Sequence, residues 1–147
     1  MDLLLALVAF LAGAGLAPQA AGNGAMAEAT GRAEWAALVN FAVGLAALVA
    51  WAGAMRFAWP GLPAFARAPW WGWTGGFLGA FYVAAVAFLA PRLGVATTLS
   101  MAVAGQTLAA LVLDRLGVMG LASRPLTSPR LLGAALLVAG VLLIRRS

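Results

Sequence analysis

Five long apolar runs, set apart by short stretches that hold nearly every charge and proline, leave this chain few folds to choose from. They cover residues 3–22, 35–55, 71–90, 94–113 and 131–144. Four of them reach the roughly 20 residues that a helix needs to cross about 30 Å of hydrocarbon. The fifth has only 14 uncharged residues, but Arg130 and Arg145 at its ends can extend their charged heads outward and lengthen its span. Lipid admits only structures that satisfy each backbone group internally, and the alternating pattern of a β-barrel is missing. The expectation is an all-α integral membrane protein of about five transmembrane helices, forming one transmembrane domain over residues 1–147.

Composition excludes most alternatives. The chain is 65% hydrophobic and 9% charged, whereas a soluble domain needs about 25% charged residues to make its polar shell. It has no His, Cys or Lys, and its only acids are Asp2, Glu28, Glu34 and Asp114. Zinc sites, thiol nucleophiles, Ser-His-Asp triads and disulfides cannot be built from this inventory. No acid–base pair or nucleophile–base constellation can be assembled either, so neither an enzyme nor a cofactor site is expected. The net charge of +5 comes from nine arginines placed singly or in pairs between apolar runs. A nucleic-acid footprint would gather them on one face; here they read as membrane anchors, with the lipid bilayer as partner and no nucleic acid. The first run is preceded by the acidic pair Met1-Asp2, exceeds a signal-peptide core in length and is followed by four more spans, which predicts a retained helix. Trp59, Trp70, Trp71 and Trp73 gather between the second and third runs with three prolines. They flank a span without interrupting one, so they read as a headgroup belt and not as an aromatic cage for a cation.

Polar side chains at bilayer depth are the informative ones, because each is expensive to bury there. Gln19 and Asn23 lie four apart on one helix face, just after Pro18. They can repair the kink at Pro18, bind a neighbouring helix or line a cavity. Asn40 aligns with Gly44, Ala47 and Trp51 and reads as a cap or an interface residue. The third run carries a ladder of small residues, Gly72, Gly76, Ala80 and Ala84, beside a second row formed by Gly75 and Gly79, with Tyr82 next to it. Such rows let helices approach closely. The fourth run holds Thr97, Thr98, Ser100, Thr107 and, in its middle, Gln106. Hydroxyls can bond back to the preceding turn, but the Gln106 amide has four hydrogen-bonding positions to satisfy, which makes it the leading candidate for a cavity. Asp114 at the boundary reads as a local ion pair or anchor beside Arg115. In the fifth run Gly133 and Gly140 share one face, a candidate assembly surface.

The motifs "PQAAGN", "NFAVG", "GGFLGAFYV", "PRLGVATT", "VAGQTLAALVLDRLG" and "RLLGAALLVAGVLLIRR" follow one another over nearly the whole chain. In that order the sequence resembles the drug/metabolite transporter superfamily, and within it the short bacterial inner-membrane proteins called YdcZ-like. The last three runs are also similar to the corresponding helices of small multidrug resistance transporters, whose last helix mediates dimerisation. The resemblance implies a five-helix unit of the kind that larger EamA-type relatives carry twice, and a multi-pass place in the bacterial inner membrane. It also marks a departure. The small multidrug branch keeps an acid in its first helix, where this chain offers Gln19 and Asn23, with Glu28 only beyond the run.

Five helices alone hardly enclose a pathway with two alternating gates, whereas two copies supply the halves that alternating access needs. The expected function is secondary transport of a small metabolite or amphipathic solute by a homodimer, with Gln19, Asn23, Tyr82 and Gln106 facing the pathway. The alternative is a membrane subunit that does not transport and stabilises a partner, using the same residues as interhelical glue. Arginine counting favours an antiparallel, dual-topology dimer. Arg56, Arg67, Arg115, Arg124 and Arg130 fall on one side, and Arg32, Arg92, Arg145 and Arg146 on the other. A bias this small does not fix orientation.

Overall fold

The computed structural model describes residues 3–146; the acidic pair Met1-Asp2 and Ser147 lie outside the described residues. The described residues form helices and connecting turns, with five helical spans long and apolar enough to cross a membrane. The first span is α1 (Leu3–Ala14) followed by α2 (Leu16–Thr30), and the second is α3 (Ala33–Ala54). A short α4 (Leu62–Ala66) and a 3₁₀ turn (Trp70–Trp73) lead into α5 (Thr74–Leu93), α6 (Val95–Leu116) and α7 (Ser128–Arg146).

Two span boundaries differ from the hydropathy reading. The first span runs on to Thr30, because the segment after Gly22 is rich in alanine, and it stops where Gly31 takes a left-handed φ of 75°. It is also broken. Pro18 has no N–H to offer the Ala14 carbonyl, and the helix interrupts at Gly15, whose own N–H donates to Leu11 at 3.0 Å. Pro18 then sits in the first turn of α2, where a missing N–H does no harm. The fifth span has 19 residues and starts at Ser128, with Pro129 likewise in its first turn. Those 19 residues include Arg130, Arg145 and Arg146, so the uncharged stretch within the helix remains residues 131–144.

The chain packs as two compact units, residues 1–17 with 92–147, and residues 18–91. Both boundaries fall at a proline within a helical span, Pro18 and Pro91. In the first unit α6 and α7 form a hairpin that buries Ala104, Ala134 and Val141. In the second, α2, α3 and α5 bury Ala20, Gly24, Ala36, Ala37, Val83, Val86, Ala87 and Ala90. The buried hydrophobic residues are thus alanine and valine, while leucines and phenylalanines such as Leu48, Phe77 and Phe81 point outward. Small residues inside and large apolar ones outside suit a protein whose surroundings are lipid, where close backbone approach is what packing rewards. Gly24 shows the tightness: a Cβ added there would lie 3.1 Å from the Pro91 ring.

The aromatic loop is ordered by its own rings. Trp59 stacks at a tilt on Phe65 with centroids 5.3 Å apart, Phe65 meets Trp73 at 6.4 Å, and Trp70 and Trp71 are edge-to-face at 6.1 Å. Trp59, Trp70 and Trp73 remain exposed, the arrangement a headgroup layer accommodates.

Candidate functional site

In the unit of residues 18–91 three carboxamides from two helices converge. Gln19 Nε2 donates to Asn40 Oδ1 at 2.9 Å, and Asn23 Nδ2 donates to the same oxygen at 3.5 Å. Helical spacing puts Gln19 and Asn23 on one face of α2, and alanines at Ala20, Ala36 and Ala37 let α3 come near enough for Asn40 to reach them. Asn40 does not cap its helix, since α3 begins after Arg32, seven residues earlier. Its interface role is the one observed. Gln19 lies 11 residues from the end of α2 and Asn40 seven from the start of α3, about 16 Å and 10 Å inward at 1.5 Å per residue. The cluster therefore lies inside both apolar spans and away from their ends. Gln19 is exposed and Asn23 and Asn40 are half-buried. The nearest charged side chains along these helices, Glu28 and Glu34, lie five and six residues away toward the helix ends. Glu34 pairs with Arg32 at 3.2 Å, and this hydrogen bond, aided by the opposite charge, raises the Arg32 pKa.

The other sequence candidates stand apart from this cluster. Tyr82 is half-buried on α5, and its hydroxyl makes no hydrogen bond among the described residues. Gln106 belongs to the other unit, where it is exposed near the midpoint of α6 and likewise has no partner among the described residues. Thr98, by contrast, is buried and returns its hydroxyl bond to Gly94 at 2.9 Å. Gly79 packs against the Phe41 ring, which a Cβ would meet at 3.2 Å, whereas Gly75, Gly133 and Gly140 have open space where a Cβ would be. Ala80 and Ala84 of the ladder line an apolar groove of about 390 Å³ with Ala37, Leu38 and Phe41, and Glu34 at one end.

Asp114 pairs with Arg130, sixteen residues on, and not with its neighbour Arg115. The chain after α6 turns back at Gly117, whose φ is 62°. The Arg124 N–H then binds the Asp114 carbonyl at 2.7 Å, and the Ser123 hydroxyl donates to the Arg115 carbonyl at 3.0 Å. This fold-back brings the first turn of α7 to Asp114, a contact that adjacency in sequence does not reveal. The ion pair thus closes the α6–α7 loop. Among the described residues no group of three or more metal-ligating side chains occurs.

Residues 4–143 match the model of a family described as "Putative inner membrane exporter, YdcZ". No curated protein and no solved structure matches the chain. With five apolar spans and a match over nearly its whole length, the chain is a multi-pass inner-membrane protein and belongs to the YdcZ family of the drug/metabolite transporters.

Proposed function

We propose that this protein is a secondary transporter that exports a small metabolite or amphipathic solute across the bacterial inner membrane, working as an antiparallel homodimer. The observation that carries the reading is Gln106. It is the twelfth of the 22 residues of α6, exposed and unbonded among the described residues. A carboxamide left bare in hydrocarbon costs about 2–7 kcal/mol. Water or solute in a pathway between two copies removes that penalty, and the family's link to export agrees with it. Tyr82, Gln19 and Asn23 are proposed to line the same pathway. Gly75, Gly79, Gly133 and Gly140 are proposed to serve close contact within and between copies. The near balance of five arginines against four supports insertion in both orientations. Inverted pairing of copies supplies the in-plane two-fold relation on which many transporters are built.

The test of transport is solute-gradient flux in proteoliposomes across a metabolite panel, with Gln106→Ala alongside the natural protein. Flux that Gln106→Ala lowers while the dimer and its thermal midpoint persist supports the reading. Loss of the dimer with no flux in either protein favours a structural subunit. The test of topology is labelling of a Cys placed after Arg146 with an impermeant reagent in intact cells. Reaction of about half the population supports dual insertion, and reaction of all or none means one fixed orientation.

A further inference from the structure

Resting on that export reading, the structure points to a substrate class through the carboxamide cluster of α2 and α3. We infer that Gln19, Asn23 and Asn40 form a recognition site for an uncharged solute that both donates and accepts hydrogen bonds, such as a primary amide or a polyol. Each amide can both give and receive hydrogen bonds. Here one oxygen, Asn40 Oδ1, takes both donors. That leaves both Asn40 amide N–H groups, the second N–H of Gln19 and of Asn23, Gln19 Oε1 and Asn23 Oδ1 with no partner among the described residues. None of these open groups is sealed in the interior, because no buried side-chain nitrogen or oxygen goes unpaired among the described residues. The site therefore offers two acceptor oxygens and four N–H donors, reachable from outside the helix pair and within two apolar spans.

Charge selection follows from the same inventory. The cluster contains no ionisable group, and Glu28 and Glu34 lie about 7–9 Å farther along their helices at 1.5 Å per residue. Nothing in the cluster repays the desolvation of a cation or an anion, which exceeds that of a neutral amide several-fold. A neutral solute with both bonding senses fits every open position. Asn40 governs the set, since its oxygen fixes Gln19 and Asn23 and its N–H groups face outward for the solute.

The test uses three ligands of nearly one shape, benzamide, benzamidinium and benzoate, in equilibrium dialysis against the protein in lipid nanodiscs, with empty nanodiscs subtracted. The natural protein should retain benzamide and neither ion. Asn40→Asp keeps the oxygen that holds Gln19 and Asn23 but replaces the donor pair by a carboxylate. It should weaken benzamide binding by about fivefold to tenfold, the loss of one to two neutral hydrogen bonds, and gain benzamidinium. Asn23→Ala, which gives up only the longer 3.5 Å bond, should weaken benzamide with the thermal midpoint unchanged and covers the case in which Asn40→Asp does not fold. Retention of benzamidinium by the natural protein, no benzamide binding at all, or benzamide affinity untouched in both variants would each overturn the site. Benzamide binding without flux of any solute in proteoliposomes would overturn the export reading and leave the site standing. Flux unchanged in Asn23→Ala, with benzamide affinity also unchanged, would overturn the site and leave export standing.

Discussion

Exchanging the two charges of the α6–α7 ion pair should leave the protein at least as stable as it is, although removing either one destabilises it. Asp114 lies in the last turn of α6 and Arg130 in the first turn of α7. Each charge thus sits at the unfavourable end of its own helix dipole, where a carboxylate is repelled by the last carbonyls and a guanidinium by the first N–H groups. Their side chains are 27% and 31% exposed, between a surface pair worth about 0.2–1 kcal/mol and a buried one whose breakage costs about 3–5 kcal/mol. Asp114→Ala should therefore cost about 1–2 kcal/mol, tempered by relief of its own dipole. In the double variant Asp114→Arg with Arg130→Asp the pair is rebuilt and both dipole terms change sign, about 0.3–1 kcal/mol each. Against this stands the weak bond from Arg130 to the Pro125 carbonyl at 3.4 Å, which the exchange gives up. The net change is zero or slightly stabilising. The exchange also keeps the number of arginines on each side of the membrane, so topology is held constant. Reversible unfolding in mixed detergent–SDS micelles reads the differences directly. A double variant no more stable than Asp114→Ala would refute the dipole argument and assign the contact to the geometry of the arginine fork.

Two further outcomes test the packing and the membrane placement. At Gly24 an alanine meets the Pro91 ring at 3.1 Å; its helix-propensity gain of about 1 kcal/mol offsets the crowding, so Gly24→Ala should shift the thermal midpoint little while Gly24→Leu lowers it sharply. Trp35 and Trp51 lie within about one turn of the ends of α3, and Trp59, Trp70, Trp71 and Trp73 lie in or beside the loop before α5; spin-labelled lipids should therefore quench intrinsic fluorescence more strongly with the label near the headgroup than near the chain end, and the reverse order would place the tryptophans in the core.

Hydropathy suffices to read the five spans, because a helix facing lipid needs an apolar surface over its full length and nothing else in the sequence competes with that signal. Their ends are less legible. The polar, alanine-rich tail of the first span reads as a loop by hydropathy yet continues as helix until Gly31, where a positive φ ends it. Gln19 and Asn23 could be placed on one face from their spacing alone, and so could the stripe through Asn40, Gly44 and Ala47. That the two faces meet depends on the rotation of α2 against α3, which small residues at Ala20, Ala36 and Ala37 permit but no spacing rule dictates. The partner of Asp114 was hidden for a related reason. It depends on a turn at Gly117 and a backbone bond from Arg124, both set by the loop and not by the charges.

The character of the core explains why amides and not aliphatic contacts carry the functional argument. Alanine and valine interiors hold helices together through close van der Waals contact, since lipid is as apolar as any leucine and gives no hydrophobic drive to associate. A hydrogen bond between helices adds about 0.6 kcal/mol on average. The two bonds to the Asn40 oxygen therefore add only about 1 kcal/mol between them. An ionised side chain in their place would cost about 2.5–3.5 kcal/mol near the bilayer centre. Amides keep bonding capacity at that depth while avoiding the larger penalty of charge. On the proposed reading, their presence in α2, α3 and α6 serves an occupant that bonds without charge. Water and neutral polar solutes meet that condition in the two units alike.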